Sequence, residues 1–235
     1  MSLVIPRFPN SESLVRSRRR GIPRPTLRVA AFAGFAPFAW QDHDRPRGRD
    51  IAFLERFAGA EGLALAVEFF PFDRLWERPA ADGIDLAASG ISLRRGSEAD
   101  GIAWTHPYAS VRRTLLIRET DRPHLKSMAD LSGRRIAAVA GSAADRHAVA
   151  QKPPAAELVS CATLETGITA LRAGQVDAVG TGDLSAQHHL AVHPELAAID
   201  VHGGAPPEFV AFAVRRDAPW LPRLNAFIRR EAAYW

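Results

Sequence analysis

The chain has 235 residues, of which 47% are hydrophobic and 24% charged, and its formal net charge is +4. This length is enough for one large domain or two small lobes, and the composition is typical of a soluble globular protein rather than a disordered one. No apolar run approaches the roughly 18 residues of a membrane span, and the single Cys161 excludes an internal disulfide.

Residues 1–26 are predicted to form a flexible arm, rich in Pro and polar residues and without the apolar core of a secretory signal. Its only run of basic residues is Arg16–Arg20. Basic residues elsewhere alternate with acids, so we expect a solvated arm and no nucleic-acid partner.

The first hundred residues after the arm alternate strands and helices, which predicts a mostly parallel sheet. Pro37 excludes a helix from the apolar loop 33–40, and Asp50 is a candidate N-cap for the helix that follows. The predicted elements are a strand at 27–32, a helix at 51–60, a strand at 63–70, a helix-like turn at 72–77 and a strand at 84–88.

A second alternating series follows, and it predicts a second α/β lobe over roughly residues 112–200. Its strands are expected at 114–118, 136–139, 158–161 and 176–179, and its helical segments at 128–131, 142–151, 164–172 and 184–192. A further strand at 209–214 and a helix at 221–234 complete the chain and are expected to return to the first lobe.

Two stretches of similar sequence, 82–92 and 174–183, each run from a Gly turn through a buried strand into small polar residues. Ligands of open α/β sheets bind outside the carboxyl ends of the strands. The two stretches therefore predict two strand ends that face one cleft.

The order of several short phrases resembles that of type 2 periplasmic solute-binding proteins of family 3, which capture polar amino acids for ABC importers. The phrases that carry the resemblance are Phe35-Ala36-Pro37-Phe38, Gly48-Arg49-Asp50, Ile84 to Ser92, Trp104 to Tyr108, Met128 to Ala137, Ala140-Gly141-Ser142 and Val176 to Val179.

This resemblance implies two Rossmann-like α/β lobes with mixed, mostly parallel sheets, joined by a two-strand hinge. Lobe 1 would comprise residues 27–111 and 205–235, and lobe 2 residues 112–204. The function implied is capture of a small amino acid or other small carboxylate between the lobes, in the periplasm, by a monomer that delivers it to a membrane permease.

The resemblance also assigns a ligand site. Backbone groups of small residues at two strand ends would bind an anion, helped by a helix N-terminus; these residues are Ser89, Gly90, Ser92, Gly141, Ser142 and Ala143. Ser142 is at the same time a candidate helix N-cap. Arg94 or Arg95 would replace the carboxylate-binding Arg of the family, and Phe35 and Phe72 would form the walls.

The cation side of the site departs from the family pattern. Gly182 stands where the family has an acid that pairs with the ligand ammonium. Thr181 and Asp183 flank this position, and Asp183 is favoured as a cap for the following helix rather than as a ligand group. We therefore expect a ligand that need not be an α-amino acid.

Other chemistries receive less support. His188, His189 and His193 have no acid or Cys at a matching spacing, so we expect a helix-end role and no metal site. No nucleophile elbow, P-loop or dinucleotide fingerprint occurs, so neither a cofactor nor catalytic residues are expected. Two alternatives remain open: a cyclohexadienyl dehydratase-like enzyme, with Asp50, Asp183 or Glu208 as proton donor, and the sensing domain of a larger receptor or lytic enzyme.

Overall fold

A computed structural model describes residues 24–81, 83–94 and 101–231. The strands are β1 (Thr26–Ala31), β2 (Gly34–Phe35), β3 (Ala39–Asp42), β4 (Arg45–Arg47), β5 (Ala64–Phe69), β6 (Leu86–Ala87), β7 (Ile102–Trp104), β8 (Ala109–Val111), β9 (Arg113–Arg118), β10 (Arg135–Val139), β11 (Glu157–Cys161), β12 (Ala178–Gly182), β13 (Leu196–Asp200), β14 (Glu208–Val210) and β15 (Ala213–Arg215). The helices are α1 (Arg49–Ala60), α2 (Ala143–Gln151), α3 (Leu164–Arg172), α4 (Asp183–Leu190) and α5 (Leu221–Glu231), with 3₁₀ turns at 75–80, 119–121 and 128–131.

Two five-stranded sheets form the centres of two lobes. The first has the strand order β5-β1-β6-β15-β7 and the second the order β11-β10-β12-β9-β13. In each sheet two strand pairs are parallel and two are antiparallel. The predicted two-lobed α/β fold with mixed sheets is confirmed, although parallel pairs do not predominate.

The lobes are joined where the chain crosses twice between the sheets. Strand β8 carries the chain out of the first lobe, strand β14 brings it back, and the two pair with each other antiparallel. The prediction of one strand over 209–214 was wrong: β14 belongs to the crossing pair, and β15, two residues later, belongs to the first sheet. Two strands therefore connect the lobes, as a hinge requires.

The segment predicted as a loop over 33–40 contains strand structure. Strands β2, β3 and β4 form a small antiparallel sheet after β1. These strands are only two to four residues long, too short for an alternating pattern to be recognised. The small sheet holds Phe35 and Ala39 opposite each other, which fixes the turn between them.

The helices pack apolar faces against the sheets. The predicted bounds of α3 are confirmed, and its N-terminus carries a capping box between Thr163 and Thr166. Helix α5 returns to the first lobe, where Phe227 packs edge-on against Phe53 of α1 with ring centroids 5.1 Å apart. Within the described parts of the chain, no helix combines the length and apolar character needed to cross a bilayer.

Asp50 has a different role from the predicted one. It was expected to cap α1, but the N-cap is Gly48, and Asp50 lies inside the first turn with no exposed surface. Its Oδ2 accepts hydrogen bonds from the backbone N–H of Ser89, the backbone N–H of Gly90 and the hydroxyl of Tyr108, each at 2.8 Å. One carboxyl group therefore joins α1, the turn after β6 and the segment before β8.

Burial determines the ionisation of this carboxyl. Desolvation raises the pKa of Asp50 to about 6, although the three hydrogen bonds act to lower it. Burial, followed by the neighbouring Asp50 charge, raises the pKa of the Tyr108 hydroxyl well above its usual value. Tyr108 therefore remains a hydrogen-bond donor throughout the neutral range.

We expect the protein to become less stable as the pH rises from about 4 to about 6, because the pKa of Asp50 is raised in the folded state. In this range the folded protein still holds the Asp50 proton, whereas the unfolded chain has released it. The stabilisation due to this proton is complete below about pH 4 and is lost as the pH passes 6. A shift of about two pKa units corresponds to roughly 3 kcal/mol.

Urea unfolding between pH 4 and 7 would measure this loss as a change in the free energy of unfolding, compared between the wild type and Asp50→Asn. The wild type should lose stability relative to the variant as the pH rises. Asp217→Asn removes an exposed carboxylate instead and controls for the loss of one charge. A constant difference between wild type and Asp50→Asn across the range would contradict the prediction.

Candidate functional site

One cleft lies between the two sheets and receives residues from both lobes. It encloses about 390 Å³ of space, part of it open to solvent. The lining residues are Phe35, Phe38, Phe72, Gly90, Ile91, Ser92, Arg94, Val111, Arg113, Ala143, Arg146, Gly182 and Ser185. None of the described lining residues is an acid.

Aromatic rings form the wall contributed by the first lobe. The Phe35 and Phe72 rings are 5.4 Å apart, and the Phe35 and Phe38 rings are 6.4 Å apart and stacked. Phe32 closes the cluster from behind with an edge-on contact to Phe72 at 5.5 Å. Such contacts fix the rings in place, so this side of the cleft is a preformed apolar surface.

The turn at Ser89–Gly90 is held in an unusual backbone conformation. Both residues have positive φ, 109° for Ser89 and 62° for Gly90. The Ser89 hydroxyl also accepts a hydrogen bond from the backbone N–H of Phe32 at 2.8 Å. The N–H groups of Ser89 and Gly90 are directed to Asp50, so they support the turn instead of facing the cleft. The backbone of Ser92 is fixed by a bridge to Val210.

Arg94 extends from this loop across the cleft to the second lobe. Its Nη2 donates to the carbonyl oxygen of Gly141 at 2.9 Å, and its guanidinium carbon lies 3.2 Å from the centre of the Trp76 ring. Burial, followed by repulsion from Arg146, lowers the pKa of Arg94 to about 10, so it is charged at neutral pH. Arg94 is therefore one positive group that both faces the cleft and contacts the opposite lobe.

Arg146 brings a second guanidinium close to the first. It lies in the first turns of α2, is exposed, and donates its Nη1 to the same Gly141 carbonyl at 3.0 Å. Two like charges that share one acceptor repel each other. An anion between them would reduce this repulsion.

Arg113 places a third guanidinium in the cleft, at the start of β9. Its side chain is 6% exposed, and its Nε lies 3.0 Å from Oε1 of Glu208 on β14. These atoms are not aligned for a hydrogen bond, so we regard the contact as electrostatic. Burial lowers the pKa of Arg113, and Glu208 and Asp183 act in the opposite direction.

Two helix N-termini also point at the cleft. Ala143, the first residue of α2, and Gly182, the N-cap of α4, both line it. The first N–H groups of a helix have no acceptor within the helix, and such ends attract anions. Ser185, one turn into α4, is buried, and no hydrogen-bond partner of its Oγ exists among the described residues. Its hydroxyl is therefore available to a ligand.

The structure brings together about half of the predicted site residues. Those that line the cleft are Phe35, Phe72, Gly90, Ser92, Arg94 and Ala143. Those that do not are Ser89, Gly141, Ser142, Thr181 and Asp183. Arg95 lies outside the described residues.

Four of the five residues that do not line the cleft make structural hydrogen bonds, whereas the buried Thr181 hydroxyl has no hydrogen-bond partner among the described residues. Ser142 caps α2 by accepting the N–H of Asp145 at 3.0 Å, as predicted. Gly141 donates its N–H to Asp145, and its carbonyl faces the two arginines. Asp183 accepts the N–H groups of Leu184 and Arg112, so its carboxylate is directed to the backbone.

Sequence reasoning missed Arg113, Arg146 and Ser185. The chain has many arginines, and a polar residue on a strand or an early helical turn looks the same in sequence whether it faces solvent or a cleft. Arg113 gave the clearest signal, because it begins a strand whose residues 115–117 are apolar. Only the tertiary structure shows that it is buried and lies beside Glu208.

The chain matches a family of solute-binding proteins. The family described as bacterial extracellular solute-binding proteins, family 3, matches residues 27–230. A probable histidine-binding protein of Campylobacter jejuni is 26% identical over 171 residues, which cover 73% of this chain and 65% of that protein. The aligned part thus spans less than two thirds of this relative.

Two solved structures have a similar fold. An amino acid ABC transporter substrate-binding protein from Streptococcus pneumoniae, bound to L-arginine, superposes with a TM-score of 0.80 at 26% identity and covers 89% of this chain and 90% of its own. A reconstructed ancestral amino-acid-binding protein, a precursor of cyclohexadienyl dehydratase, superposes with a TM-score of 0.79 at 20% identity, covering 88% and 90%.

The close approach of Gly90 to Phe38 leads to a testable prediction about the cleft. A Cβ on Gly90 would lie 2.6 Å from the Phe38 ring, at a φ of +62°. We expect Gly90→Ala to destabilise the protein by about 2–3 kcal/mol, of which about 1 kcal/mol comes from the positive φ alone. Thermal and urea unfolding would measure the loss.

A matched control is Gly133→Ala. Gly133 has a φ of +72°, but a Cβ there meets nothing within 4 Å. This control carries the backbone cost without the contact to Phe38. Equal destabilisation by the two substitutions would show that Phe38 does not hold the turn.

Proposed function

Because the chain belongs to the bacterial extracellular solute-binding proteins of family 3, we propose that it captures a small anionic solute in the cleft between its lobes. The solute is a small amino acid or another small carboxylate, bound in the periplasm. The closed, loaded protein then delivers it to the permease of an ABC importer.

The observation that carries this proposal is the charge of the cleft. Arg94, Arg113 and Arg146 all line it, and no acid is found among its described lining residues. Guanidinium groups bind carboxylates with two parallel hydrogen bonds. The N-terminus of α2 and the Ser185 hydroxyl would supply further donors.

The same charges argue against a cationic ligand. Some related structures contain L-arginine, whose side chain is positive and needs an acidic partner. Here Gly182 stands where the family pattern places an acid, and its surroundings include the guanidinium of Arg113, with Nη2 3.4 Å from the position of a Cβ on Gly182. A positive ligand group at this position would meet a positive side chain.

Closure of the lobes would couple binding to transport. Strands β8 and β14 form the two crossings, which is the geometry of hinge closure. Arg94 on one lobe contacts Gly141 on the other, so the ligand would lie beside a contact that exists only in the closed form. A ligand that bridges Arg94 and Arg146 would stabilise this form and shift the population towards it.

The dehydratase alternative gains no support from these groups. Its candidate proton donors were Asp50, Asp183 and Glu208. Asp50 is buried beneath the Ser89–Gly90 turn, Asp183 binds backbone N–H groups, and Glu208 contacts Arg113. None of these carboxyl groups lines the cleft.

We expect small carboxylates to raise the melting temperature of the purified chain, since a ligand that binds only the native state stabilises it. The panel should contain glutamate, glycine, arginine and histidine, together with acetate, lactate and succinate, and calorimetry should follow for each compound that shifts the melting temperature. Tight binding of arginine with no response to any anionic compound would refute the anionic ligand.

Substitution of a cleft arginine should weaken binding selectively. Arg146→Gln removes a charge from the exposed rim without disturbing the core, and we expect affinity for the carboxylate ligand to fall about 10- to 100-fold. The control is Arg172→Gln, which removes an exposed arginine paired with Glu195, away from the cleft. An equal effect of both substitutions would indicate a loss of general charge instead of a direct contact.

A further inference from the structure

A glutamate and two histidines from different parts of the second lobe meet away from the cleft. Glu165 lies in the first turn of α3, His189 near the end of α4, and His193 one helical turn further along the chain. One ligand atom from each lies within 4.8 Å of those of the other two. The acid that the sequence around the histidines did not offer is thus supplied by the neighbouring helix.

His189 is the least explained member of this cluster. The residue is 1% exposed, and its Nε2 has no hydrogen-bond partner in the described part of the chain. Its Nδ1 lies 3.6 Å from Oε1 of Glu165, which is too far for a hydrogen bond. The nitrogen that faces the carboxylate is Nδ1, and the two groups are not hydrogen-bonded to each other. A cation between Nδ1 and Oε1 would connect them.

The donor types of the cluster suit a transition-metal ion. Neutral imidazole nitrogens and a carboxylate oxygen are both ligands that such ions take in proteins. Because Oε1 of Glu165 lies 3.6 Å from Nδ1 of His189, too far for a hydrogen bond, the carboxylate remains available to a cation.

The nearby groups that compete for these side chains are few. His193 Nδ1 lies 3.5 Å from Glu195, and Glu195 itself pairs with Arg172 at 2.6 Å. His188 is turned to the other side, where its ring packs against Trp40 of the first lobe at 6.0 Å. Neither neighbour is one of the three residues whose ligand atoms cluster.

We propose that Glu165, His189 and His193 bind a divalent transition-metal ion. Two imidazoles and one carboxylate are ligands that suit Zn²⁺, with a fourth position left for water. Ligand atoms around a tetrahedral Zn²⁺ lie roughly 3.3 Å apart at bond lengths of about 2.1 Å. The side chains must therefore approach by up to about 1.5 Å, given the present limit of 4.8 Å. Glu165 has a side chain 59% exposed and can rotate to do so.

This site would join α3 to α4 at the end of α4 opposite the cleft. The metal ion would connect two helices that belong to the same lobe. Its binding does not depend on the identity of the transported solute, so it can be tested without that ligand.

The test is a titration of the untagged, chelator-treated full chain with Zn²⁺, followed by calorimetry, and with Co²⁺, followed by its visible absorption. We expect one ion per chain at micromolar protein, and a Co²⁺ spectrum with the intense bands of tetrahedral coordination and no thiolate band. Glu165→Gln and His193→Gln should each weaken binding at least tenfold. Both side chains reach the surface, so these variants should fold as the wild type does.

The control variant is His124→Gln, which removes an exposed histidine from the same lobe and should leave the affinity unchanged. Absence of binding, or affinity that neither Glu165→Gln nor His193→Gln reduces, would overturn the proposal. A thiolate band would place the ion at Cys161 instead and would overturn it as well.

Discussion

The carboxyl group of Asp50 is the interaction on which the binding surface of the first lobe depends. Its Oδ2 accepts three hydrogen bonds, two from the backbone of Ser89 and Gly90 and one from Tyr108. Burying a carboxyl group is unfavourable unless such partners compensate. These hydrogen bonds hold a turn with two consecutive positive φ values in one conformation. From this turn the chain continues to Ser92 and Arg94, so the position of the cross-cleft arginine depends on a carboxyl that never reaches the cleft.

The second determinant is the set of arginines that meet at the cleft. Arg94 is fixed by the Trp76 ring and by the Gly141 carbonyl, and Arg113 by Glu208, whereas Arg146 is exposed at the rim. Two of these groups share one acceptor, and burial together with their mutual repulsion lowers the pKa of Arg94. With the anion that we propose for the cleft, this repulsion would be reduced. Repulsion between residues of opposite lobes would then couple binding to closure.

Sequence alone was sufficient for the fold but for only part of the site. The bounds of α3 followed from apolar periodicity and capping residues, because these are local signals. The strand after it was predicted at 176–179 and is found at Ala178–Gly182. Phe35, Phe72 and Gly90 could be placed near a cleft because they follow strand ends. The role of Asp50 could not be predicted, since its partners are 39, 40 and 58 residues away. Arg113, Arg146 and Glu165 were missed for the same reason. Their roles arise from tertiary contacts, which produce no periodic pattern in the sequence.

Helix α4 lies between the two proposed sites. Its dipole favours the sign of charge that we propose at each end. Its N-terminus, with Gly182 and Ser185, faces the cleft, and its C-terminal turn carries His189. The dipole of a helix favours negative charge at the N-terminus and positive charge at the C-terminus. An anionic solute at one end and a metal cation at the other are therefore both favoured by the same eight residues. The dipole effect fades within a turn of each end, so each site gains from the helix separately. A loss of metal binding would leave the solute cleft electrostatically intact, and the two proposals can fail independently.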